Sequence, residues 1–307
     1  MLTESGVSFG DPNTQTKPSA TMDIGLFRYN TPPTFCSHAL DYNEDYYRRA
    51  GVSRMHTHDR LDLDGIRPGD LVFIKTNALS AFCQVLPKLK VPIGLITGVS
   101  DICPLDYRFL IEDDRIVSWC GQFLPQWSEK ILQYPSGFAE RERDCGDQQA
   151  ILDAVGGMPW RERPIDILMT PMSPTSPERQ DIVVDGAHVL RDRLPYRDYL
   201  QLMARSKFVI CPRGNAPDSI RLWEALAVGA VPITRTGILD PIYSSFGAII
   251  VQEWEQAADA ARSVPTGEPL RAYALQCFAN RTGLFFSSYW QERTREHHAR
   301  LLAARVS

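Results

Sequence analysis

The chain is 307 residues long, 44% hydrophobic and 23% charged, the balance of a globular protein with room for two ordinary domains. A formal net charge of −4 excludes a general nucleic-acid binder, which needs a concentrated basic surface to release counterions. No run approaches the ~20 apolar residues of a membrane-spanning helix. The cysteines (Cys36, Cys83, Cys103, Cys120, Cys145, Cys211 and Cys277) have neither the pairing nor the spacing of a disulfide framework or zinc site. They read as reduced core residues of a soluble, intracellular protein.

Residues 1–21 are polar, with neither a basic start nor an apolar h-region, and read as a disordered leader rather than a signal peptide. From residue 22, short apolar runs alternate with helical stretches. The runs are DLVFIKT (70–76), VPIGLIT (91–97), RIVSWCGQF (115–123), PIDILMT (164–170), KFVICPR (207–213), AVPIT (230–234) and AIIVQEW (248–254). Runs this continuously apolar fit strands buried on both faces, hence parallel sheets covered by helices. Helix candidates lie between them: SAFCQVLPKLK, QQAILDAVGG, YRDYLQLMARS and SIRLWEALAVG. The alternation predicts an α/β fold. DAVGGMPWRERP (153–164), rich in glycine, proline and charge, divides the series near residue 158 into two Rossmann-like domains, 22–158 and 159–289. Residues 290–307 read as an amphipathic helix with Leu301, Leu302 and Val306 on its apolar side.

One unit concentrates charge between two buried strands: SKFVICPRGNAPDSIRLWEALAVGAVPI. Pro212 and Gly214 end the first strand, proline by lacking an N–H and glycine by permitting positive φ or close backbone approach. Asp218 or Ser219 can cap the helix that follows, and Gly229 can close it in a left-handed conformation. The loop therefore sits at the carboxyl end of a parallel strand, where open α/β sheets bind ligands. The helix N-terminus adds free N–H groups suited to phosphate. Arg213 and Arg221 can face the same anion, each with a planar fork of donors. Glu224 shares the helix face of Arg221, and its carboxylate could accept two hydroxyls of a ribose. The competing reading makes Arg221 and Glu224 an exposed i,i+3 ion pair, Arg213 a loop brace and Asp218 only a cap.

The same stretch resembles the nucleotide-sugar-binding motif of exostosin-like glycosyltransferases. Phe208, Cys211, Pro212, Arg213, Gly214, Asp218, Arg221, Glu224, Ala225, Leu226, Gly229 and Pro232 follow its pattern in order. Two positions depart: Ala216 stands where many relatives have Gly, and Ile220 where they have His. Segments from residue 65 to 255 are similar to successive parts of small members, but only this motif is sharp. The resemblance implies a GT-B fold, two Rossmann-like domains facing a central cleft. It also implies arginines near a diphosphate, Glu224 near the ribose, and a UDP-linked sugar as co-substrate with no further cofactor. The implied partners are a nucleotide-sugar donor and a glycan or other hydroxyl acceptor. The implied setting is cytoplasmic, at the inner face of a membrane if the host is bacterial, with the basic RTREHHAR (293–300) a candidate contact for anionic lipid or a solvated helix face.

On that reading no metal is needed, since the arginines and the helix terminus carry the leaving-group charge. DLD (62–64) and EDD (112–114) read as turns rather than metal sites. A general base would come from the first domain. Asp101, ending LITGVSD, is the candidate, with capping of the next turn as its alternative. His38, His56 and His58 could also supply it, and the MHTHD spacing of His56 and His58 lacks a third metal ligand. Arg179, in TPMSPTSPERQ (170–180), is a further donor-side candidate or a helix-start residue. Tyr134 and Ser136, in the YPSG that ends at Gly137, are candidates for the acceptor side. A nucleotide- or sugar-phosphate-binding module without transferase activity remains the alternative. No GxGxxG, nucleophile elbow or Walker lysine supports another α/β enzyme.

Overall fold

The computed structural model of the chain describes residues 23–40, the backbone of 55–56, and 61–305. The predicted leader, the His56 and His58 side chains and Val306 lie outside the described residues. The first sheet holds β1 (His38–Leu40), β2 (Met55–His56), β3 (Leu71–Lys75), β4 (Ile93–Gly98), β5 (Ile116–Gln122) and β6 (Ile131–Tyr134), in the order β2-β1-β3-β4-β5-β6. The second holds β7 (Ile165–Met169), β8 (His188–Val189), β9 (Ser206–Ile210), β10 (Val231–Arg235) and β11 (Ile249–Val251), in the order β11-β10-β9-β7-β8. Every strand pairing in both sheets is parallel.

The α/β expectation therefore holds, and all seven apolar runs contain a strand. Its physical basis is visible in β4 and β5, where every residue is buried and alternation has no place. Four strands escaped the sequence reading because they are short, and β8 is exposed along its whole length. Counted within its own half, each sheet starts in the strand order 2-1-3-4-5. Order therefore reverses between β1 and β3, and again between β7 and β9. Ligand crevices form outside the carboxyl ends at such reversals.

The helices are α1 (Leu79–Val85), α2 (Gln148–Ala154), α3 (Tyr196–Ala204), α4 (Ile220–Ala227), α5 (Asp240–Ser245), α6 (Ala257–Arg262), α7 (Glu268–Asn280) and α8 (Ser287–Ala303). In α4, Leu222, Trp223, Ala225, Leu226 and Ala227 are buried. It ends as expected at Gly229, with φ +71, a conformation nearly free of strain only for glycine. Packing does not follow the sequence division at residue 158. Helix α2 lies before that point yet packs on α3 and α4 of the second half.

The C-terminal helix begins at Ser287 and returns to the first half, packing on β5 and β6. Its buried face is Trp290, Thr294, His298 and Leu301, spaced to lie in one row. This corrects the expected stripe of Leu301, Leu302 and Val306: Leu302 is only partly buried. The ring of Trp290 lies 5.6 Å from Phe27, 6.0 Å from Tyr134 and 6.2 Å from Phe246, joining both halves of the chain. Burying such a side chain contributes on the order of 2–3 kcal/mol. His298 Nε2 donates to Gly69 O at 3.1 Å, which leaves Nδ1 to accept from Ser118 Oγ at 2.8 Å. Within the basic RTREHHAR stretch Thr294 and His298 serve the core, while Arg293, Arg295 and Arg300 are exposed on the helix.

Two polar bonds set the halves against each other. Gln133 Nε2 donates to Ile238 O at 2.9 Å, and Ser136 N donates to Asp218 Oδ2 at 2.7 Å. Among the described residues no helix is long and apolar enough to cross a membrane.

Candidate functional site

A cleft of ≈ 1260 Å³ opens between the two halves, over the carboxyl ends of β7 and β9. The β7 exit brings Thr170 and Pro171, the β9 exit brings Gly214, and α4 presents Ser219, Arg221 and Glu224. The first half contributes Tyr29, Asp101, Ser136 and Glu140 from three separate loops. The strand-order reversal thus places the charged sequence unit where a crevice forms.

Arg221 is the central observation. Its Nη2 donates to Pro171 O at 2.9 Å, while Nε and Nη1 are buried without an acceptor in hydrogen-bonding geometry. Burial by itself would lower the pKa of this guanidinium, but Tyr199, Cys211 and Glu224 outweigh it and hold the pKa above its ordinary value. Buried guanidinium nitrogens with only the Tyr199 hydroxyl beside them are under-satisfied, and an arriving anion would supply the missing acceptors. Thr170, which precedes Pro171, is also buried with its Oγ1 unpartnered, and it lines the same cleft.

Glu224 is buried, and its two oxygens accept from two hydroxyls of α3: Tyr196 at 2.9 Å and Tyr199 at 3.1 Å. Desolvation raises its pKa, opposed by those two bonds and by Arg221. Burial also raises the pKa of both tyrosines, with Glu224 adding to it, so each phenol remains a donor. Arg221 and Glu224 form no ion pair among the described residues. The exposed i,i+3 pair is therefore not what these residues make.

Other expectations change. Arg213 is exposed and does not line the cleft. The reason is Arg179, whose Nε donates to Arg213 O at 2.6 Å and whose Nη2 donates to Pro212 O at 3.0 Å. Arg179 thus braces the β9 exit and itself lines the cleft, taking the place that Arg213 was expected to fill. Burial, then the neighbouring Arg221, lowers its pKa. Gly214 has no positive φ, and a Cβ there would meet nothing closer than 3.6 Å.

Asp218 does not cap α4. It is buried, and Oδ1 accepts from Ser219 N at 2.6 Å and Tyr243 Oη at 2.7 Å. Oδ2 accepts from Ser136 N at 2.7 Å and Trp223 Nε1 at 2.9 Å. Its lone pairs are filled, so it joins the halves. Desolvation raises its pKa, countered by those hydrogen bonds. Ser219 occupies the N-cap position without making a side-chain cap, so the first-turn N–H groups of a helix end that lines the cleft have no side-chain acceptor from it.

On the opposite wall Asp101 is exposed and accepts from Tyr29 Oη at 3.4 Å. Burial, then Asp101, raises the Tyr29 pKa. Ser136 lines the cleft through its loop. Tyr134 does not: it is fully buried, its hydroxyl bonded to Thr294 and its ring edge-on to Phe35 at 6.3 Å. β-Strand alternation sends Tyr134 into the core. His38 is also buried, paired with Asp70 Oδ2 at 3.2 Å and absent from the cleft lining. Among the described residues no three His, Cys, Asp or Glu side chains are grouped to hold a metal.

The sequence reading missed Tyr196, Tyr199 and Tyr29, and pointed to the hydroxyls of 170–180 without singling out Thr170. Tyrosines three apart on a predicted helix are a usable signal for α3, and Thr170 stands at the exit of a predicted strand; nothing local marks Tyr29.

No known family pattern matches the chain, and no curated protein matches it in sequence. Solved structures resemble it in fold. A UDP-forming α,α-trehalose-phosphate synthase from Burkholderia vietnamiensis is 12% identical over 79% of this chain and 75% of its own, with TM-score 0.43. The E. coli trehalose-6-phosphate protein bound with UDP-2-fluoro glucose is 12% identical over 78% and 75%, with TM-score 0.41. WaaG, a glycosyltransferase of lipopolysaccharide biosynthesis, is 12% identical over 84% and 99%, with TM-score 0.36. The chain is thus distantly similar in fold to these proteins.

Proposed function

We propose that this chain is a nucleotide-sugar-dependent glycosyltransferase of GT-B architecture, related to the exostosin-like family. The carrying observation is Arg221, a half-buried arginine at the N-terminal end of α4 whose Nε and Nη1 are buried beside the Tyr199 hydroxyl with no anionic partner. A diphosphate there gains charge-assisted hydrogen bonds and the helix-terminal N–H groups together. Glu224, already oriented by two phenols, accepts the ribose hydroxyls with its remaining lone pairs.

The acceptor enters from the first half. Its hydroxyl oxygen attacks the anomeric carbon as the bond from that carbon to the diphosphate breaks, and Asp101 takes the proton. Charge growing on the departing diphosphate is stabilised by Arg221 and the helix terminus, aided by Arg179. Attack opposite the leaving group inverts the anomeric configuration, and these side chains act without a resident metal.

The test is thermal unfolding with UDP, GDP, CDP, ADP and CMP, followed by release of free sugar from the matching donor without acceptor. One nucleotide at 100 times its Kd should add about 2.7 kcal/mol of stability, and that nucleotide's sugar conjugate should hydrolyse slowly. No shift with any nucleotide would overturn the donor site. Binding without sugar release would leave a binding module instead.

A further inference from the structure

Three loops form the first-half wall of the cleft, and one buried side chain ties them together. Gln122, the last residue of β5, has no solvent exposure. Its Oε1 accepts from Val99 N at 2.8 Å, while Nε2 donates to Tyr29 O at 2.9 Å and to Pro135 O at 3.3 Å. These three backbone groups belong to the segments that carry Asp101, the Tyr29 hydroxyl and Ser136, all of which line the cleft. One acceptor and two donors at the end of a single side chain are what a primary amide offers.

The tie acts on backbone that would not hold its shape unaided. Val99 has φ +55, a left-handed conformation that a β-branched residue keeps only when its surroundings over-determine it. Phe123, next to Gln122, has φ +56. Gly98 completes the fit: a Cβ there would stand 2.5 Å from Gln122 Oε1, so glycine lets the amide approach. Asp101 lies two residues beyond Val99 in irregular backbone, exposed, with Tyr29 as its hydrogen-bond donor. Both Val99 and Tyr29 are held by the same amide.

We propose that Gln122 is a positioning residue for the acceptor-side carboxylate, holding Asp101 and Tyr29 in mutual register through the Val99 turn. This rests on the cleft being a glycosyl-transfer site. Gln122 touches no reacting atom, so its effect should fall on turnover and not on donor-nucleotide affinity.

The experiment is a double-mutant cycle on Gln122→Leu and Asp101→Asn. It follows sugar release from UDP-glucose, or the sugar conjugate of whichever nucleotide binds, with nucleotide Kd measured in parallel. Gln122→Leu should lower kcat roughly 10- to 100-fold and leave nucleotide Kd within about twofold, and the double variant should be no slower than the worse single one. Gln122→Glu keeps an acceptor for Val99 N and nearly the same volume. It is the second variant should leucine fail to fold, and its turnover should lie between wild type and Asp101→Asn. Additive losses, a matching fall in nucleotide affinity, or an Asp101→Asn variant of full activity would each overturn the assignment. A wild-type chain that binds nucleotide but releases no sugar also overturns it, while leaving the donor site standing. A wild-type chain that binds no nucleotide overturns both.

Discussion

Replacing Arg221 by methionine separates a binding residue from a structural one. In the free protein, Arg221 donates to Pro171 O at 2.9 Å, and its buried Nε and Nη1 have the Tyr199 hydroxyl nearby but no carbonyl or carboxylate acceptor in good geometry. Methionine removes the bond to Pro171 O, on the order of 1 kcal/mol, but also removes the cost of the desolvated, under-satisfied guanidinium, which is at least as large. The free variant should therefore unfold within about 1 kcal/mol of wild type, or above it. Nucleotide binding should suffer far more. Two charge-assisted bonds at about 1.5 kcal/mol or more each amount to roughly 3 kcal/mol, or about 100-fold in Kd. Calorimetric unfolding of the free protein and titration with the nucleotide found in the panel give the two numbers. Arg213→Ala is the control: exposed and outside the cleft, it should change Kd by no more than about twofold. The reasoning fails if Arg221→Met loses more than about 2 kcal/mol of stability while its nucleotide affinity stays near wild type.

Asp218→Ala should behave in the opposite way. It strips the acceptor from Ser136 N, Ser219 N, Trp223 Nε1 and Tyr243 Oη, so denaturant unfolding should show a loss on the order of 3–5 kcal/mol. Two glycines form a second contrast. Gly137 has φ +69 and a Cβ there would stand 2.3 Å from Phe27 O, so Gly137→Ala should cost roughly 2 kcal/mol or more in the same assay. Gly214→Ala meets only ordinary contacts and should keep stability within about 0.5 kcal/mol, while weakening nucleotide about tenfold where a phosphate approaches the backbone. His298 should confer a pH dependence. Burial lowers its folded pKa below the ordinary 6.5, so the unfolded chain takes up a proton first as pH falls below about 6.5. Stability is lost from there downward at up to about 1.4 kcal/mol per pH unit. The His298→Gln variant should show a shallower slope between pH 7 and 5.5, and equal slopes would rule the effect out.

The parallel α/β organisation was legible because β4, β5, β9 and β10 are continuous apolar runs, buried on both faces. Strands β2 and β8, with two residues each, carry too little sequence to register. Within the site, Arg221 and Glu224 could be read because they sit one helical turn apart on a helix whose start and stop are locally encoded. Arg213 misled for a physical reason: a side chain at a strand exit points where the loop backbone sends it. That loop is braced by Arg179, 34 residues earlier in the chain. Tyr134 misled because the YPSG turn suggested a surface, whereas its strand position puts the ring between Phe27, Phe35 and Trp290.

The sequence by itself determined the strand–loop–helix–strand unit from Ser206 to Arg235, since caps, breakers and apolar runs are properties of neighbouring residues. Only the tertiary structure decided what faces that unit. Tyr196 and Tyr199 reach Glu224 from another helix, Ser136 reaches Asp218 from the other sheet, and Gln122 draws three loops into one wall. Such contacts depend on sheet order and on the return of the C-terminal helix to the first half. Both follow from burying apolar surface across the whole chain, and no local pattern records them.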